Sequence, residues 1–243
     1  MRIFALVGTL IVMAKDHATW ATKALFFEGR SWPAARVVGR RELYGQPSSG
    51  AASDLEPISI AFVETSGLGR SWKATEALGF WRSFGEIDPK NDAAIADFVR
   101  RHGDPESLLS PTVAVHTGEW KQPLSLCKTI AEAWIKPDAN GISHCKRNLP
   151  LMVHGLVDRH VEKNVLAHTQ PIFDPEFGIR LKPDKLAGFM VLSAVTMLFE
   201  KTPLRRCTHC GDWMSFSRST AKTCSVACRN AVSRQSKRTG TDR

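Results

Sequence analysis

Four cysteines near the C-terminus occur as two closely spaced pairs. Cys207 and Cys210 form a C-x2-C pair, and Cys224 and Cys228 form a C-x3-C pair after thirteen intervening residues. Four thiolates at this spacing are typical of a tetrahedral zinc site whose metal serves folding. We therefore predict that Cys207, Cys210, Cys224 and Cys228 bind one structural Zn²⁺.

The two pairs require different local structures to point their sulfurs at one ion. Gly211, directly after Cys210, provides the backbone freedom that a tight knuckle uses. Cys224 and Cys228 are four residues apart, so on a helix they share one face and bind from its first turn. We expect a knuckle at the first pair and a helix at the second.

The residues around the second pair and between the pairs fit this arrangement. Ser225 or Thr223 is a candidate N-cap for the helix, whose N-terminus also favours thiolates. Trp213 and Phe216 supply apolar side chains to a unit too small to have a core without a metal. A knuckle, a short hairpin and a helix in this order predict a treble-clef-like zinc ribbon.

Disulfides are the alternative use of these cysteines, and they would suit a secreted chain. The combination of CxxC and Cx3C with basic residues between them favours reduced thiolates on a metal. His209 could replace one cysteine as a ligand, but four cysteines already complete a structural site. Because reduced thiolates belong in a reducing compartment, we expect a cytoplasmic protein.

The first fourteen residues offer a second indication of compartment. After Met1-Arg2, the apolar run 3–14 resembles a short signal peptide, although only one basic residue precedes it. We favour a buried N-terminal strand or a misassigned start, with secretion as the alternative. The run is too short to span a membrane, so no membrane span is expected.

The positive charge of the chain is concentrated around the cysteines. The whole chain has a net charge of +9. Residues 201–243 contain ten Lys/Arg and two Asp, a net charge of +8, whereas residues 1–200 contain 23 Lys/Arg and 22 Asp/Glu, a net charge of +1. A zinc tetrathiolate contributes about −2, so this segment remains cationic with the metal bound.

A basic face on the C-terminal helix makes nucleic acid the favoured partner, with DNA favoured over RNA. Arg229, Ser233 and Lys237 follow one helical row, while Asn230, Arg234 and Arg238 follow the next. Such side chains bind phosphates first, which gives a salt-dependent affinity. The candidate nucleic-acid-binding residues are Arg205, Arg206, Arg218, Lys222, Arg229, Arg234, Lys237 and Arg238.

Two other functions remain open. The ribbon could bind a protein partner, or could be purely structural, on a ligand-sensing or scaffold domain. The third reading is an enzyme in the N-terminal domain. The chain contains no GxxxxGK[ST], GxSxG or HExxH motif, which makes an enzyme the less favoured reading, but catalytic groups can also assemble from distant positions.

The hydrophobic pattern predicts an α+β chain with a mainly α-helical N-terminal domain, residues 1–203, and a small zinc ribbon, residues 204–243. Asn91 and Asp184 are expected to cap their helices. The apolar helix that precedes Cys207 is expected to be central and to anchor the ribbon. Cys127 is expected in the core. The predicted helices are Ser71–Trp81, Asn91–His102, Leu124–Ile135, Leu149–Leu166 and Leu186–Phe199. The predicted extended elements are short pieces at 24–27 and 36–38, a strand at Pro57–Val63 and a hairpin at Ile172–Leu181.

The segment CTHCGDWMSFSRSTAKTCSVACRNAVSRQSKR, residues 207–238, resembles the C-terminal zinc ribbons of uncharacterised bacterial proteins. In these, an aromatic residue follows the first cysteine pair and a CSxxCR-type sequence opens a basic helix. The α-rich layout with DFVRRHG at 97–103 is also similar. The CGNR zinc-finger group is a more distant resemblance, and it implies a transcriptional regulator. Here Cys228-Arg229-Asn230-Ala231 stands at its namesake motif, so only Cys and Asn match.

Overall fold

The computed structural model describes residues 23–43, 58–146, 168–216 and 220–239. The predictions for residues 1–14, for the loop 46–54 and for the helix 149–166 lie outside these ranges.

Five α-helices and ten strands lie in the described residues. The helices are α1 Trp81–Gly85, α2 Asp92–Arg101, α3 Lys121–Ala131, α4 Leu186–Phe199 and α5 Val226–Thr239, with a 3-10 turn at Thr117–Trp120 before α3. The strands are β1 Phe27–Ser31, β2 Arg36–Leu43, β3 Ile58–Glu64, β4 Arg70–Ala74, β5 Val115–His116, β6 Ile142–Ser143, β7 Thr169–Asp174, β8 Gly178–Pro183, β9 Leu204–Arg206 and β10 Trp213–Ser215.

The strands form four small antiparallel sheets. β1 pairs with β4, and β3 lies between β2 and β5. β7 and β8 form a hairpin, and β9 lies between β6 and β10. The last sheet joins residues from both sides of the predicted boundary at 203, and that boundary stays a prediction.

The class α+β is confirmed, but the expectation of a mainly helical chain is wrong. Of the described residues, 32% are helical and 30% are in strands. The predicted helix from Ser71 to Trp81 is instead the end of β4 followed by a turn and α1. Trp72 and Ala74 pair with Gly29 and Phe27 of β1. Pairing with a partner more than forty residues away therefore outweighed the local helical spacing.

The apolar helix α4 is the centre of the core, as predicted. Phe189, Met190 and Met197 are completely buried in it. Phe189 stacks on Phe27 of β1 with ring centroids 5.2 Å apart. The indole Nε1 of Trp81 in α1 donates to Sδ of Met197 at 3.3 Å. An all-round apolar helix needs such cover on every side.

Helices α2 and α3 and the β7–β8 hairpin confirm three further predictions. Asn91 caps α2, because its Oδ1 accepts from the backbone N–H of Ala94 at 3.0 Å. Cys127 of α3 is fully buried. The hairpin turns between Asp174 and Gly178.

The predicted cap of α4 is wrong. Lys185 and not Asp184 occupies the N-cap, and its side chain makes no cap hydrogen bond. Ser107, from the loop after α2, accepts instead from the N–H of Leu186 at 3.1 Å. A residue distant in sequence thus satisfies this helix terminus.

No helix in the described part of the chain is both long enough and apolar enough to cross a bilayer.

Candidate metal centre

The hairpin β9–β10 positions the first cysteine pair. Arg206 of β9 pairs with Trp213 of β10, and the knuckle lies between them. The N–H of Cys207 donates to the carbonyl of Asp212 at 2.8 Å, and the N–H of Gly211 donates to the carbonyl of Cys207 at 3.0 Å. Gly211 has a φ of +76°, which glycine adopts without steric cost. The predicted knuckle is therefore present.

Helix α5 positions the second pair. Cys224 lies two residues before α5, and Cys228 lies in its first turn. Ser225 accepts at its Oγ from the N–H of Cys228 at 3.2 Å, which confirms Ser225 as the cap. Both the N–H of Thr208 and its hydroxyl donate to the carbonyl of Lys222, at 2.9 and 3.2 Å. These bonds hold the loop before α5 against the knuckle.

The four sulfurs converge on one point. All four Sγ atoms lie within 4.8 Å of one another. Sγ of Cys224 is 3.5 Å from Sγ of Cys210 and 3.5 Å from Sγ of Cys228. A disulfide requires about 2.05 Å, whereas a tetrahedron with metal–sulfur bonds of about 2.3 Å requires sulfurs about 3.8 Å apart. The four cysteines are therefore free thiols positioned to coordinate a metal ion.

Hydrogen bonds to sulfur prepare Cys207 as a thiolate. Burial acts to raise the pKa of Cys207, but the backbone N–H groups of Cys210, Cys224 and His209 lower it to about 7. The hydrogen bond between the thiols of Cys210 and Cys224 raises the pKa of Cys210. The knuckle thus stabilises negative charge first on Cys207, as a metal ligand requires.

A buried carboxylate fastens the knuckle to helix α2. Asp212 is 7% exposed, and its Oδ1 is 2.5 Å from Nη1 of Arg101. Its Oδ2 is 3.2 Å from Nε2 of His102. Burial acts to raise the pKa of Asp212, but His102 and Arg101 together hold it below its usual range. The carboxylate is therefore charged and joins the metal segment to the rest of the fold.

Trp213 makes a second attachment to helix α1. Its indole contacts two guanidinium groups, with Cζ of Arg82 3.8 Å and Cζ of Arg206 4.8 Å from the ring centroid. The indole N–H donates to Glu86 at 2.9 Å, and Glu86 also pairs with Arg206 at 2.6 Å. Stacked cations and a shared carboxylate hold the hairpin in place. The predicted anchoring of the ribbon to the core is confirmed.

The two arginines of β9 both make contacts with other residues of this protein. Arg205 is 8% exposed; its Nη1 donates to the carbonyl of Ala221 at 3.0 Å, and its guanidinium stacks over Phe216 at 4.5 Å. Arg206 is paired with Glu86 and donates to the carbonyl of Gly211 at 2.9 Å. Both side chains therefore stabilise the knuckle and its surroundings.

The other predicted basic residues lie on the loop and helix beyond the knuckle. Lys222, Arg229 and Arg234 are exposed. Lys237 and Arg238 occupy the last turn of α5, and Arg218 lies outside the described residues. Of the predicted basic residues, Arg205 is thus buried and Arg206 is exposed but ion-paired with Glu86, whereas Lys222, Arg229 and Arg234 are exposed without an ion-pair partner in the described ranges.

Sequence patterns missed four residues that hold the knuckle and its hairpin against α1 and α2: Asp212, Glu86, Arg82 and His102. Asp212 lies 110 residues from His102, and Trp213 lies 127 residues from Glu86. The only local signal was the position of Asp212 and Trp213 directly after the first cysteine pair.

Comparison of the chain with protein-family models, with curated proteins and with solved structures found no match.

Proposed function

We propose that this chain binds nucleic acid through its C-terminal segment, residues 204–239, and that one zinc ion holds this segment together. The observation that carries the proposal is helix α5, a basic helix of fourteen residues that starts at the cysteine cluster and has no buried position among residues 226–236. The four thiols support zinc, because soft sulfur ligands in a tetrahedral set select it among common metals.

The charge around α5 has no acidic counterpart in the segment. Residues 213–241 contain six Lys/Arg and no Asp or Glu. In the described ranges, no carboxylate lies within ion-pairing distance of Arg229 or Arg234. No described carboxylate of this protein neutralises these two arginines, whereas a phosphate backbone would.

The residues that bind phosphate are those left exposed. Lys222, Arg229 and Arg234 are the described candidates, and Lys237 and Arg238 extend the same helix. Arg205 and Arg206 support the knuckle in this proposal, because Arg205 is buried against Phe216 and the exposed Arg206 is already paired with Glu86. Because the hairpin is fastened to α1 and α2, the rest of the protein orients the N-terminal end of α5.

Duplex DNA is the proposed ligand class, because an exposed helix of this length fits a major groove. A regulatory role in transcription, in the cytoplasm of a bacterium, is the finer form of the proposal, and it rests on the resemblance of residues 207–238 to bacterial zinc ribbons. The reduced thiols fit that compartment.

Binding of the zinc-loaded protein to a generic DNA duplex, measured by fluorescence anisotropy at several salt concentrations, tests the proposal. The logarithm of the affinity should fall linearly with the logarithm of salt concentration. The double variant Arg229→Gln/Arg234→Gln should bind more weakly, and its salt slope should be smaller by about 2, because each lost phosphate contact removes about one unit. A single-stranded RNA of equal length separates DNA from RNA.

Lys90→Gln/Lys136→Gln is the matched control, because it removes the same charge from exposed positions outside the segment. Equal effects of the two double variants, or no binding at low salt, would reject the proposal. Elemental analysis should find about one zinc per chain.

A protein partner is the second candidate, and one observation favours it. Val226, at the start of α5, is 63% exposed beside the cluster. An exposed apolar residue in a basic helix also fits a groove on an acidic protein. Capture of a protein by the wild type, lost with Val226→Ser but kept with Arg229→Gln/Arg234→Gln, would support this candidate over nucleic acid.

A further inference from the structure

A cleft of about 460 Å³ lies outside the cysteine cluster, and none of the four cysteines lines it. Its walls come from β1, β4, the loop after α2 and the start of α4, and all of its lining residues belong to the described ranges. Small-molecule sites in proteins are typically concave spaces of roughly 300–1,000 Å³. The cleft is therefore large enough for a compound of the size of an amino acid.

Three glycines shape this cleft by allowing close contacts. A Cβ on Gly69 would lie 2.3 Å from Cδ of Arg30, and a Cβ on Gly29 would lie 2.6 Å from the indole of Trp72. Gly103 has a φ of +110°, and a Cβ there would lie 2.3 Å from the carbonyl oxygen of Arg30. Larger residues at these positions would push the walls apart.

Two tryptophans give the cleft an apolar side. Trp32 is 4% exposed, and Leu109 is also buried beside the cleft. The Nε1 of Trp72 donates to the carbonyl of His102 at 3.1 Å, which fixes the orientation of its ring. Fixed aromatic surfaces bind apolar groups with little loss of conformational entropy.

Three of the charged groups at the cleft already have partners. Glu28 lies 2.8 Å from Nζ of Lys73 and 2.8 Å from Nζ of Lys182. Asp104 accepts from three backbone N–H groups of its own loop, at 2.8 to 3.2 Å. The charges of Glu28, Lys73 and Asp104 are therefore already satisfied by neighbouring groups of the cleft walls.

The other two charged groups, Arg30 and Asp184, have opposite signs and no ion-pair partner in the described part of the chain. The guanidinium of Arg30 lies 5.7 Å from the ring centroid of Trp32, next to the apolar side. Asp184 is exposed and also lines the cleft, two residues before the buried Leu186. The cleft thus offers one cation, one anion and an apolar surface.

From this arrangement we propose that the cleft binds a free α-amino acid with an aromatic or large aliphatic side chain. Arg30 binds the carboxylate through its planar fork of N–H donors. Asp184 accepts from the ammonium group, and the side chain packs against Trp32 and Trp72. A ligand with only one charge would leave one of these two groups without its partner. The proposal is independent of nucleic-acid binding.

Isothermal titration calorimetry of the full-length, zinc-loaded protein tests the site with L-phenylalanine, L-tryptophan and L-leucine. Two analogues of L-phenylalanine each lack one charge: 2-phenylethylamine lacks the carboxylate and 3-phenylpropanoate lacks the ammonium group. We expect at least one amino acid to bind with a dissociation constant of about 1 mM or lower. Each analogue should bind at least about tenfold more weakly than L-phenylalanine.

Arg30→Gln should weaken L-phenylalanine about tenfold and leave 2-phenylethylamine unchanged, because that analogue makes no contact with Arg30. Asp184→Asn should weaken L-phenylalanine and leave 3-phenylpropanoate unchanged. Asp184 is exposed, so its variant tests the site even if Arg30→Gln disturbs the fold, and Arg36→Gln is a control outside the cleft. Absence of binding by all three amino acids, or equal effects of each variant on both analogues, would overturn the proposal.

Discussion

Arg101 and Asp212 join helix α2 to the metal knuckle through an ion pair whose Nη1 and Oδ1 atoms lie 2.5 Å apart. The same arginine also contacts the carbonyl oxygen of Cys210 at 3.4 Å. One side chain of α2 thus touches the residue after the knuckle glycine and a predicted metal ligand. The position of the cysteine cluster therefore depends on a helix more than a hundred residues away.

Arg101→Ala should loosen the metal centre, because it leaves the buried carboxylate of Asp212 with His102 alone. We expect a loss of about 1–3 kcal/mol in the free energy of unfolding and faster transfer of the metal to a chelator. Urea denaturation and a colorimetric chelator assay measure these two quantities. Lys136→Ala, at an exposed position, is the control and should change neither.

Cys228→Ser should remove the metal and unfold α5. The helix has fourteen residues with no buried position among those at 226–236, and isolated helices of that length are marginal in water. Far-ultraviolet circular dichroism should show a loss of helix, and elemental analysis should show less than one metal ion per chain. Cys145→Ser is the matched variant, since Cys145 lies outside the cluster. Retained helix in Cys228→Ser would contradict the prediction.

Gly79→Ala should weaken the attachment of β10. A Cβ at this position would lie 2.9 Å from Cα of Met214 and 2.9 Å from the carbonyl oxygen of Trp213, both of them backbone atoms. Displacing a packed strand should cost about 1–3 kcal/mol of unfolding free energy, measured by urea denaturation. Gly39→Ala is the matched control, because no atom lies within 4 Å of its added Cβ, and it should be neutral or slightly stabilising.

Glu28→Gln should be less stable than the wild type at neutral pH, and this difference in the free energy of unfolding should shrink in acid. Hydrogen bonds from Lys182 and Lys73 lower the pKa of Glu28 from 4.5 to about 2. A lowered folded-state pKa stabilises the protein above the unfolded-state pKa, and the contribution disappears as pH falls through the folded-state value. The stability difference between wild type and Glu28→Gln should therefore be constant above about pH 5 and shrink below it.

Urea midpoints of both proteins from neutral pH down to about pH 3 measure this difference. Acid-induced loss of metal affects both proteins alike, so the difference isolates Glu28. Glu132→Gln, at an exposed carboxylate, serves as the control. A difference that grows in acid would reverse the assigned sign.

Local patterns predicted those elements whose stabilising contacts lie close in sequence. Asn91 caps α2 through a bond to a residue three positions away. The β7–β8 hairpin closes over three residues, 175–177, between the paired Asp174 and Gly178. The helix expected at 71–81 was wrong because the deciding contact, the pairing of Trp72 with Gly29, spans 43 residues. A local hydrophobic pattern, which extends over one or two turns of a helix, cannot include both partners of that pair.

The sequence by itself determined the four-cysteine cluster, the knuckle and the concentration of charge in the C-terminal segment, and it narrowed the cap of α5 to Ser225 or Thr223, because all of these depend on spacings of a few residues. Only the tertiary structure decided that Arg205 is buried and Arg206 is paired with Glu86, while Arg229 and Arg234 are exposed without such a partner in the described ranges. It also decided that Arg30 and Asp184 share a cleft without ion-pair partners. These are differences in burial and pairing between residues distant in the chain, which residue type and spacing do not encode.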